Sequence, residues 1–258
     1  MHLHTRRIKE KMPLAVKIIL IVIAVPVGLF LGFALLVAVS SLFVNPKKIY
    51  MKHSRYYRTL LNISTHIAMV IMRIRVHVEG LEKIPQGTRF LMVQNHRSKF
   101  DPIVSWLILE KYDVAFISKH ENLEIPIFGR IIRKCCFMSI NREHASKALE
   151  TVVNAAQLLK DDQVSMAVYP EGTRNTTEEP LLPFHNSIFK IAQMANVPIV
   201  VMTAKGTADI KHNYPKKASH VYFKVTGVIP AEELKGKKTN EIGERVRELL
   251  LTVPSQVS

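Results

Sequence analysis

A long apolar run near the N-terminus dominates the hydrophobic pattern. Residues 18–44 carry no charged side chain, and this run is longer than the roughly 20 residues that a helix needs to cross a bilayer. A single tilted span is the simplest prediction. Pro26, Gly28 and Gly32 would also permit a re-entrant hairpin. A cleaved signal peptide is a third alternative because residues 38–40 offer small side chains, although the preceding run is long for one.

A second helical pattern follows directly. Apolar residues between 54 and 73 recur near helical spacing, which predicts a helix that lies either on the membrane surface or in a protein core. We favour the surface because the helix comes straight after the apolar run. The pattern thus predicts an anchoring region over residues 1–73 and a separate folded domain over residues 74–258.

After residue 73, short apolar segments alternate with helical ones. Strands are predicted over residues 75–79, 90–94, 114–118, 137–140, 165–169, 197–203 and 221–228. Helices are predicted over residues 102–110, 144–159, 184–195 and 239–251, and a loop over 206–219. This alternation favours the α/β class, with a mixed, mostly parallel sheet flanked by helices.

Positive charge is concentrated beside the apolar run. The first 60 residues hold ten Lys and Arg and one acidic residue, so they carry nine of the fifteen net positive charges. A nucleic-acid-binding protein more often has its basic patch on the folded domain, so nucleic acid is not an expected partner. The placement indicates attraction to anionic membrane phospholipids. Both flanks of the run are basic, which leaves its orientation open.

The two cysteines, Cys135 and Cys136, are neighbours in the sequence. Adjacent cysteines cannot close a loop, and two thiols alone do not form a zinc site. We predict that both are buried as small apolar side chains. No metal site is expected.

Two polar motifs follow predicted strands, where ligands of α/β sheets bind. The first contains His96 and, five residues later, Asp101. A neutral imidazole can accept a proton from a hydroxyl, and a carboxylate on its other nitrogen fixes the tautomer and stabilises the imidazolium. Asp101 before Pro102 also fits a helix N-cap, and a lone histidine is more often structural. His96 and Asp101 are the candidate catalytic pair.

The second motif, residues 169–174, has the sequence Tyr-Pro-Glu-Gly-Thr-Arg. Gly172 permits a positive φ or a close backbone approach, and Thr173 supplies a hydroxyl. Arg174 supplies a planar fork suited to a phosphate, and Glu171 would position Arg174 or a substrate hydroxyl. The alternative is a turn closed by a surface ion pair.

Together the motifs resemble the glycerolipid acyltransferase family, which includes the 1-acylglycerol-3-phosphate acyltransferases. That family carries a His-x-x-x-x-Asp block followed by a Phe-Pro-Glu-Gly-Thr-Arg block, and this chain has both in that order, with Tyr169 in the Phe position. The resemblance covers residues 75–205 approximately. It implies that residues 74–258 form an acyltransferase domain.

The resemblance also implies roles. His96 would be the general base on the acceptor hydroxyl, and Asp101 would orient it. The acceptor-binding residues that it implies are Arg142, Glu171, Gly172, Thr173 and Arg174. The acceptor would be a lysophospholipid, with acyl-CoA or acyl-carrier protein as co-substrate and no metal or bound cofactor. The product would be phosphatidic acid for phospholipid biosynthesis, made at a membrane by a site that faces the cytoplasm.

Several positions depart from the family's usual residues. They are Cys136 for Gly, Ser139 for Phe, Asn141 for Asp, Ser187 for Gly and Val201 for Pro. The base and its carboxylate are unaffected, but the acceptor stays open among 1-acylglycerol 3-phosphate, glycerol 3-phosphate and other lysolipids. Lys119 lies in a segment similar to the family's lysine segment, as either a substrate-facing cation or a surface lysine. A non-catalytic lipid-binding membrane protein is the alternative outside the enzymes.

Overall fold

The computed structural model of the chain describes residues 13–140 and 144–252. Contacts divide the chain into two units, Met1–Phe43 and Val44–Ser258. In the first unit, helix α1 (Leu14–Leu42) continues through Pro26 without a break. The chain therefore does not form the alternative re-entrant hairpin over these residues. Its 29 residues make it about 43 Å long at the rise of an α-helix. By length and composition, α1 is able to cross a membrane.

The second unit carries the α/β fold. Its α-helices are α2 (Arg55–Ile71), α3 (Asp101–Ile108), α4 (His120–Leu123), α5 (Phe128–Lys134), α6 (Ala145–Lys160), α7 (Lys190–Ala195), α8 (Ile210–Asn213), α9 (Ala231–Leu234) and α10 (Thr239–Leu251). Its strands are β1 (Ile74–Glu79), β2 (Leu91–Gln94), β3 (Val114–Ser118), β4 (Met138–Ser139), β5 (Ser165–Val168), β6 (Ile199–Lys205) and β7 (Ser219–Ile229). Single 3-10 turns cover Leu81–Lys83, Glu110–Tyr112, Asn186–Phe189 and Thr207–Asp209.

All seven of these strands join one sheet in the order β1-β7-β6-β2-β5-β3-β4. Strands β6, β2, β5, β3 and β4 run parallel to one another. Strand β7 is antiparallel to β6 and parallel to β1. The predicted mixed, mostly parallel sheet is confirmed. Since β2 and β5 are direct neighbours with Val93 opposite Val168, their carboxyl ends lie side by side.

The central strands are mostly apolar, with Gln94 and Ser165 as the polar exceptions, because both faces of the sheet are covered. All residues of β2 and β5 are buried. On one face, β2 and β5 share a core with α6, α7 and α10, to which Leu159, Ile191 and Val246 contribute. Burying one such side chain fully stabilises the fold by about 1.5–3 kcal/mol. This core gives the strand ends a rigid base.

Helix α2 packs through one face on the rest of the second unit. Leu60, Leu61 and Met69 are buried on that face, and the buried Arg58 donates to the carbonyl of Val114 at 3.0 Å. By contacts, α2 therefore groups with the sheet, as in the core-helix alternative. The predicted division into an anchoring region over residues 1–73 and a domain over residues 74–258 stays a prediction.

The predicted loop over residues 206–219 is wrong in its first half. Gly206 takes a left-handed backbone (φ +81°), and the chain then forms the 3-10 turn and α8. Thr207 and Ile210 are completely buried there. Helix α8 spans four residues, too short for its apolar periodicity to be seen in the sequence. The same holds for α4, which was also not predicted.

Candidate active site

His96 and Asp101 lie in contact at the carboxyl end of β2. His96 comes two residues after the strand, and Asp101 is the first residue of α3. The Nδ1 atom of His96 is 2.9 Å from Oδ2 of Asp101. The imidazole side chain is 17% exposed and the carboxylate is 0% exposed. The two predicted residues thus form a pair with a solvent-accessible ring and a buried carboxylate.

The Asp101 carboxylate is held by donors from several directions. Its Oδ2 atom accepts hydrogen bonds from the backbone N–H groups of Arg97 at 2.7 Å and Ser98 at 2.8 Å. The hydroxyl of Thr207 donates to Oδ1. The N-cap of α3 is Phe100, and no side chain caps that helix, so the N-cap role considered for Asp101 is not found. These donors compensate the cost of burying a charged group.

The pairing fixes the state of the ring. An ionised carboxylate only accepts hydrogen bonds, so Nδ1 of a neutral His96 carries the hydrogen and Nε2 has a free lone pair. Among the described residues, Nε2 has no hydrogen-bond partner. The ring is therefore arranged to accept a proton at Nε2.

The second motif is joined to the first by Glu171. Its Oε1 atom accepts from the backbone N–H of His96 at 2.8 Å, and its Oε2 atom accepts from that of Leu182 at 2.9 Å. Burial raises the pKa of the Glu171 carboxyl, and these two N–H donors partly offset that rise. Glu171 therefore holds the backbone of the base, and among the described residues it has no hydrogen bond or ion pair with Arg174.

Two further contacts bring the motifs together. The ring of Tyr169 stacks on the His96 imidazole with centroids 4.2 Å apart. The backbone N–H of Asn175 donates to the carbonyl of His96 at 2.7 Å. The two motifs therefore lie together at one edge of the sheet.

The turn between these contacts presents its side chains to solvent. Gly172 has φ +70°, a conformation that favours glycine, and its N–H donates to the carbonyl of Tyr169 at 3.0 Å. Thr173 and Arg174 are exposed. In the described part of the chain, Arg174 has no ion pair, so the alternative of a turn closed by an ion pair is not found. Arg142 lies outside the described residues.

A cleft of about 630 Å³ opens on the same edge of the sheet, at the ends of β3 and β4. Its ammonium groups come from Lys48, Lys119 and Lys147, and its carboxylates from Glu121 and Glu150. Lys119 is exposed and lines the cleft, an arrangement that agrees with both alternatives for this lysine. The cleft thus has an excess of positive charge.

A row of aromatic rings connects His96 with this cleft. Beyond Tyr169 come Phe116, at 6.1 Å between centroids, and then Phe137, at 5.5 Å. Phe137 lines the cleft. The imidazole and the basic cleft are therefore joined by a row of packed rings, whose middle member, Phe116, is buried.

The two cysteines directly precede Phe137 in the sequence and lie in the core. Cys135 and Cys136 are both free and 0% exposed, which confirms the predicted burial. Burial raises the pKa of each thiol to about 12. Neither thiol is therefore available as a thiolate nucleophile at neutral pH.

Comparison with known proteins gives a family. The family model described as Acyltransferase matches residues 75–205, just over half of the chain. The chain belongs to the acyltransferase family. The match includes both strand-end motifs and the segment between them.

Two curated relatives of this acyltransferase-family chain are named as 1-acyl-sn-glycerol-3-phosphate acyltransferases. A 1-acyl-sn-glycerol-3-phosphate acyltransferase alpha from Ovis aries is 30% identical over 190 residues, which cover 72% of this chain and 64% of the relative. A 1-acyl-sn-glycerol-3-phosphate acyltransferase from Cocos nucifera is 28% identical over 191 residues, covering 73% and 60%. The matched region thus spans less than two thirds of these relatives.

A solved structure supports the fold of this family member. The crystal structure of the 1-acyl-sn-glycerophosphate (LPA) acyltransferase PlsC from Thermotoga maritima superposes with a TM-score of 0.64. The superposition covers 88% of this chain and 90% of that chain at 22% sequence identity. At this identity the similarity concerns the fold.

Sequence reasoning missed two residues of the candidate site. Thr207 donates to Asp101 from the segment predicted as a loop, where no motif marks it. The guanidinium of Arg97 donates to the carbonyls of Thr177 and Glu179, at 2.8 Å each. Arg97 stands inside the first motif, but it fixes the loop that follows the second.

Tyr169 carries a buried hydroxyl where the family usually has Phe. This hydroxyl has no hydrogen-bond partner of good geometry. Burial raises its pKa well above the usual value, with the charge of Asp101 adding to the rise and the nearby Ser105 hydroxyl opposing it. An unsatisfied buried polar group costs about 1–3 kcal/mol.

Replacing Tyr169 by Phe is therefore expected to raise the free energy of unfolding by about 1 kcal/mol, because the ring stays and the cost of the hydroxyl disappears. Thermal unfolding should show a midpoint about 2–4 °C higher. Tyr222→Phe is the control, since this tyrosine is 42% exposed and its change should leave the midpoint where it was. A lower midpoint for Tyr169→Phe would mean that the hydroxyl has a partner that stabilises the fold.

Proposed function

We propose that this chain is an O-acyltransferase that moves a fatty acyl group to the free hydroxyl of 1-acylglycerol 3-phosphate, giving phosphatidic acid in phospholipid biosynthesis. The observation that carries the proposal is the free Nε2 of His96, backed by Asp101 and joined to the 169–174 turn. The names of the relatives are in agreement with this acceptor.

The reaction follows from the state of the ring. As the acceptor oxygen attacks the thioester carbonyl carbon, Nε2 takes the hydroxyl proton and Asp101 stabilises the imidazolium that forms. Collapse of the tetrahedral intermediate breaks the carbon–sulfur bond. The imidazolium then returns its proton to the departing thiolate, so His96 ends neutral. The thiol belongs to coenzyme A or to acyl-carrier protein.

The acceptor phosphate is assigned to guanidinium groups. Arg174 is exposed and has no carboxylate partner in the described part of the chain, so its fork is available for two phosphate oxygens. Arg142 is the second proposed cation. Gly172 and Thr173 shape the turn beside the phosphate, and Glu171 acts by holding the base in place.

We further propose that the enzyme works at a membrane with its site facing the cytoplasm. Helix α1 is long and apolar enough to cross a bilayer, and basic residues follow it in the sequence. Acyl chains of the acceptor and product reside in the bilayer, whereas coenzyme A and acyl-carrier protein are water-soluble. A site at the cytoplasmic surface of the membrane is accessible to the acceptor in the bilayer and to the acyl donor in water.

The test is turnover by the purified full-length chain in neutral detergent, with products identified by mass spectrometry. Acyl-CoA and acyl-carrier protein are supplied separately as donors. The acceptors are 1-acylglycerol 3-phosphate, glycerol 3-phosphate and lysophosphatidylcholine. We expect phosphatidic acid from the first acceptor, at a rate that a chelator leaves unchanged. A different preferred acceptor would overturn the assignment of the acceptor, and no acyl transfer with any pair would favour a lipid-binding protein.

A further inference from the structure

A second concave surface lies next to the basic cleft. It is a groove of about 580 Å³ lined by residues 48–54 and by Lys134 at the end of α5. Lys48 and Ile49 line the cleft and the groove alike. The groove therefore shares a wall with the cleft but is open to solvent on its own side.

Two ammonium groups converge on one aromatic ring in this groove. The Nζ atoms of Lys134 and Lys48 lie 4.3 Å and 5.6 Å from the centroid of Tyr50. A ring face attracts a cation, but two ammonium groups at one ring also repel each other. Neither lysine has an ion pair among the described residues, and residues 44–58 contain no Asp or Glu. The positive charge in the groove is left without a counter-charge.

The groove is held in shape by backbone contacts. The N–H of Ser54 donates to the carbonyl of Lys134 at 3.0 Å, which fixes the two sides of the groove together. The hydroxyl of Tyr50 accepts from the N–H of Asn45 at 3.1 Å. The hydrogen bond to its hydroxyl holds the Tyr50 ring in place, and both ammonium groups lie beside this ring before any ligand binds. Such preorganisation lowers the entropic cost of binding a ligand.

Few residues separate this groove from the apolar helix along the sequence. Lys48 follows Leu42, the last residue of α1, by six residues, which can extend about 20 Å at most. If α1 lies in a membrane, as proposed above, the groove is within reach of lipid headgroups. Anionic headgroups attract clustered lysines that adjoin an apolar span.

We propose that this groove binds the phosphate group of an anionic phospholipid, with the ammonium groups of Lys48 and Lys134 on the phosphate oxygens and the Tyr50 ring beneath them. This site differs from a diffuse attraction between basic residues and a charged surface, because Lys134 comes from a distant part of the sequence. The proposal of this lipid site rests on the proposed membrane location and does not depend on the proposed acyl transfer.

The first experiment measures how fast each lysine is acylated by a soluble reagent, using peptide mass spectrometry. The full-length chain is placed in nanodiscs of phosphatidylcholine alone or with phosphatidylglycerol. We expect Lys48 and Lys134 to react about threefold to tenfold more slowly when phosphatidylglycerol is present. Lys47 is the internal control, since it is exposed and adjacent to Lys48 but outside the groove. Equal slowing of Lys47 and Lys48, or no slowing, would overturn the proposal.

A third sample identifies the source of the phosphate. Inorganic phosphate is added to the phosphatidylcholine nanodiscs, and the expected result is unchanged labelling of Lys48 and Lys134. Protection as strong as that given by phosphatidylglycerol would show that a free phosphate occupies the groove and would overturn the lipid assignment.

Variants give an independent measurement. The number of phosphatidylglycerol molecules that stay bound in neutral detergent is counted by native mass spectrometry. Lys48→Gln with Lys134→Gln should lose the bound lipid, whereas Lys47→Gln with Lys237→Gln, which removes the same charge elsewhere, should retain it. Equal retention by both pairs contradicts the site. Since the readout is bound lipid and not turnover, its failure is distinguishable from failure of the proposed acyl transfer.

Discussion

Replacing His96 by alanine is expected to lower kcat for acyl transfer about 10²- to 10⁴-fold, the usual contribution of a positioned general base. Nε2 is the atom at this site that can take the acceptor proton, and alanine leaves nothing in its place. The KM for the acceptor should change little, because the phosphate contacts assigned to Arg174 remain. Initial rates at varied acceptor concentration measure both constants.

The control for this prediction is His66→Ala. His66 is a half-exposed histidine on α2 that faces Glu110 at 3.1 Å, and its loss should leave kcat unchanged. Circular dichroism of both variants checks that they fold, which matters because His96 also packs on Tyr169. A folded His96→Ala protein with kcat within threefold of the parent would rule out the imidazole as base.

The strand-end positions of both motifs could be predicted from the sequence, but their adjacency could not. Local apolar patterns mark β2 and β5, whereas the order of strands in a sheet depends on contacts between distant segments. The link from Glu171 to the backbone of His96 spans 75 residues. The resemblance to a family supplied this adjacency indirectly, because it placed both blocks in one site.

Thr207 shows what sequence reasoning lacked. Strand β6 pairs with β2, and Asn95 extends the pairing by two hydrogen bonds with Ala204, of 3.0 Å and 2.8 Å. The chain that leaves β6 is thereby brought alongside the first motif. Nothing in the local sequence after Gly206 signals this, since Thr207 acts only through the place that the end of β6 gives to the following 3-10 turn.

One departure from the family pattern has a structural reason. Cys136 stands where the family often has glycine, and its φ is +65°. This left-handed conformation costs a residue with a Cβ atom more than it costs glycine. Glycine would take this conformation at little cost, so Cys136 holds the turn at a small energetic cost that glycine would avoid. The sequence showed the departure without its cause.

Replacing Asp101 by asparagine is expected to lower kcat about 10- to 150-fold, less than the loss of the base itself. The Oδ2 position accepts N–H groups from Arg97 and Ser98, so the amide must turn its oxygen toward them and its NH₂ toward the hydroxyl of Thr207. In that orientation the oxygen still accepts from Nδ1 of His96 and keeps the ring in the active tautomer. What is lost is the negative charge that stabilises the imidazolium, about 1.5–3 kcal/mol for a hydrogen bond to a charged group.

A milder change beside the Asp101 carboxylate separates the effect of its charge from the effect of its position. Thr207→Val removes one donor to Asp101 but leaves its charge, so kcat should fall less than in Asp101→Asn, and Thr207→Ser should restore it. Asp101→Asn could instead lose as much activity as His96→Ala. That result would mean that the amide points its NH₂ group at Nδ1 of His96, so that Nδ1 accepts a hydrogen bond and the ring takes the inactive tautomer. The corresponding change in serine hydrolases has this effect. If it loses nothing, the buried carboxylate serves the fold and not the reaction, because its charge then has no effect on the imidazolium that the mechanism requires.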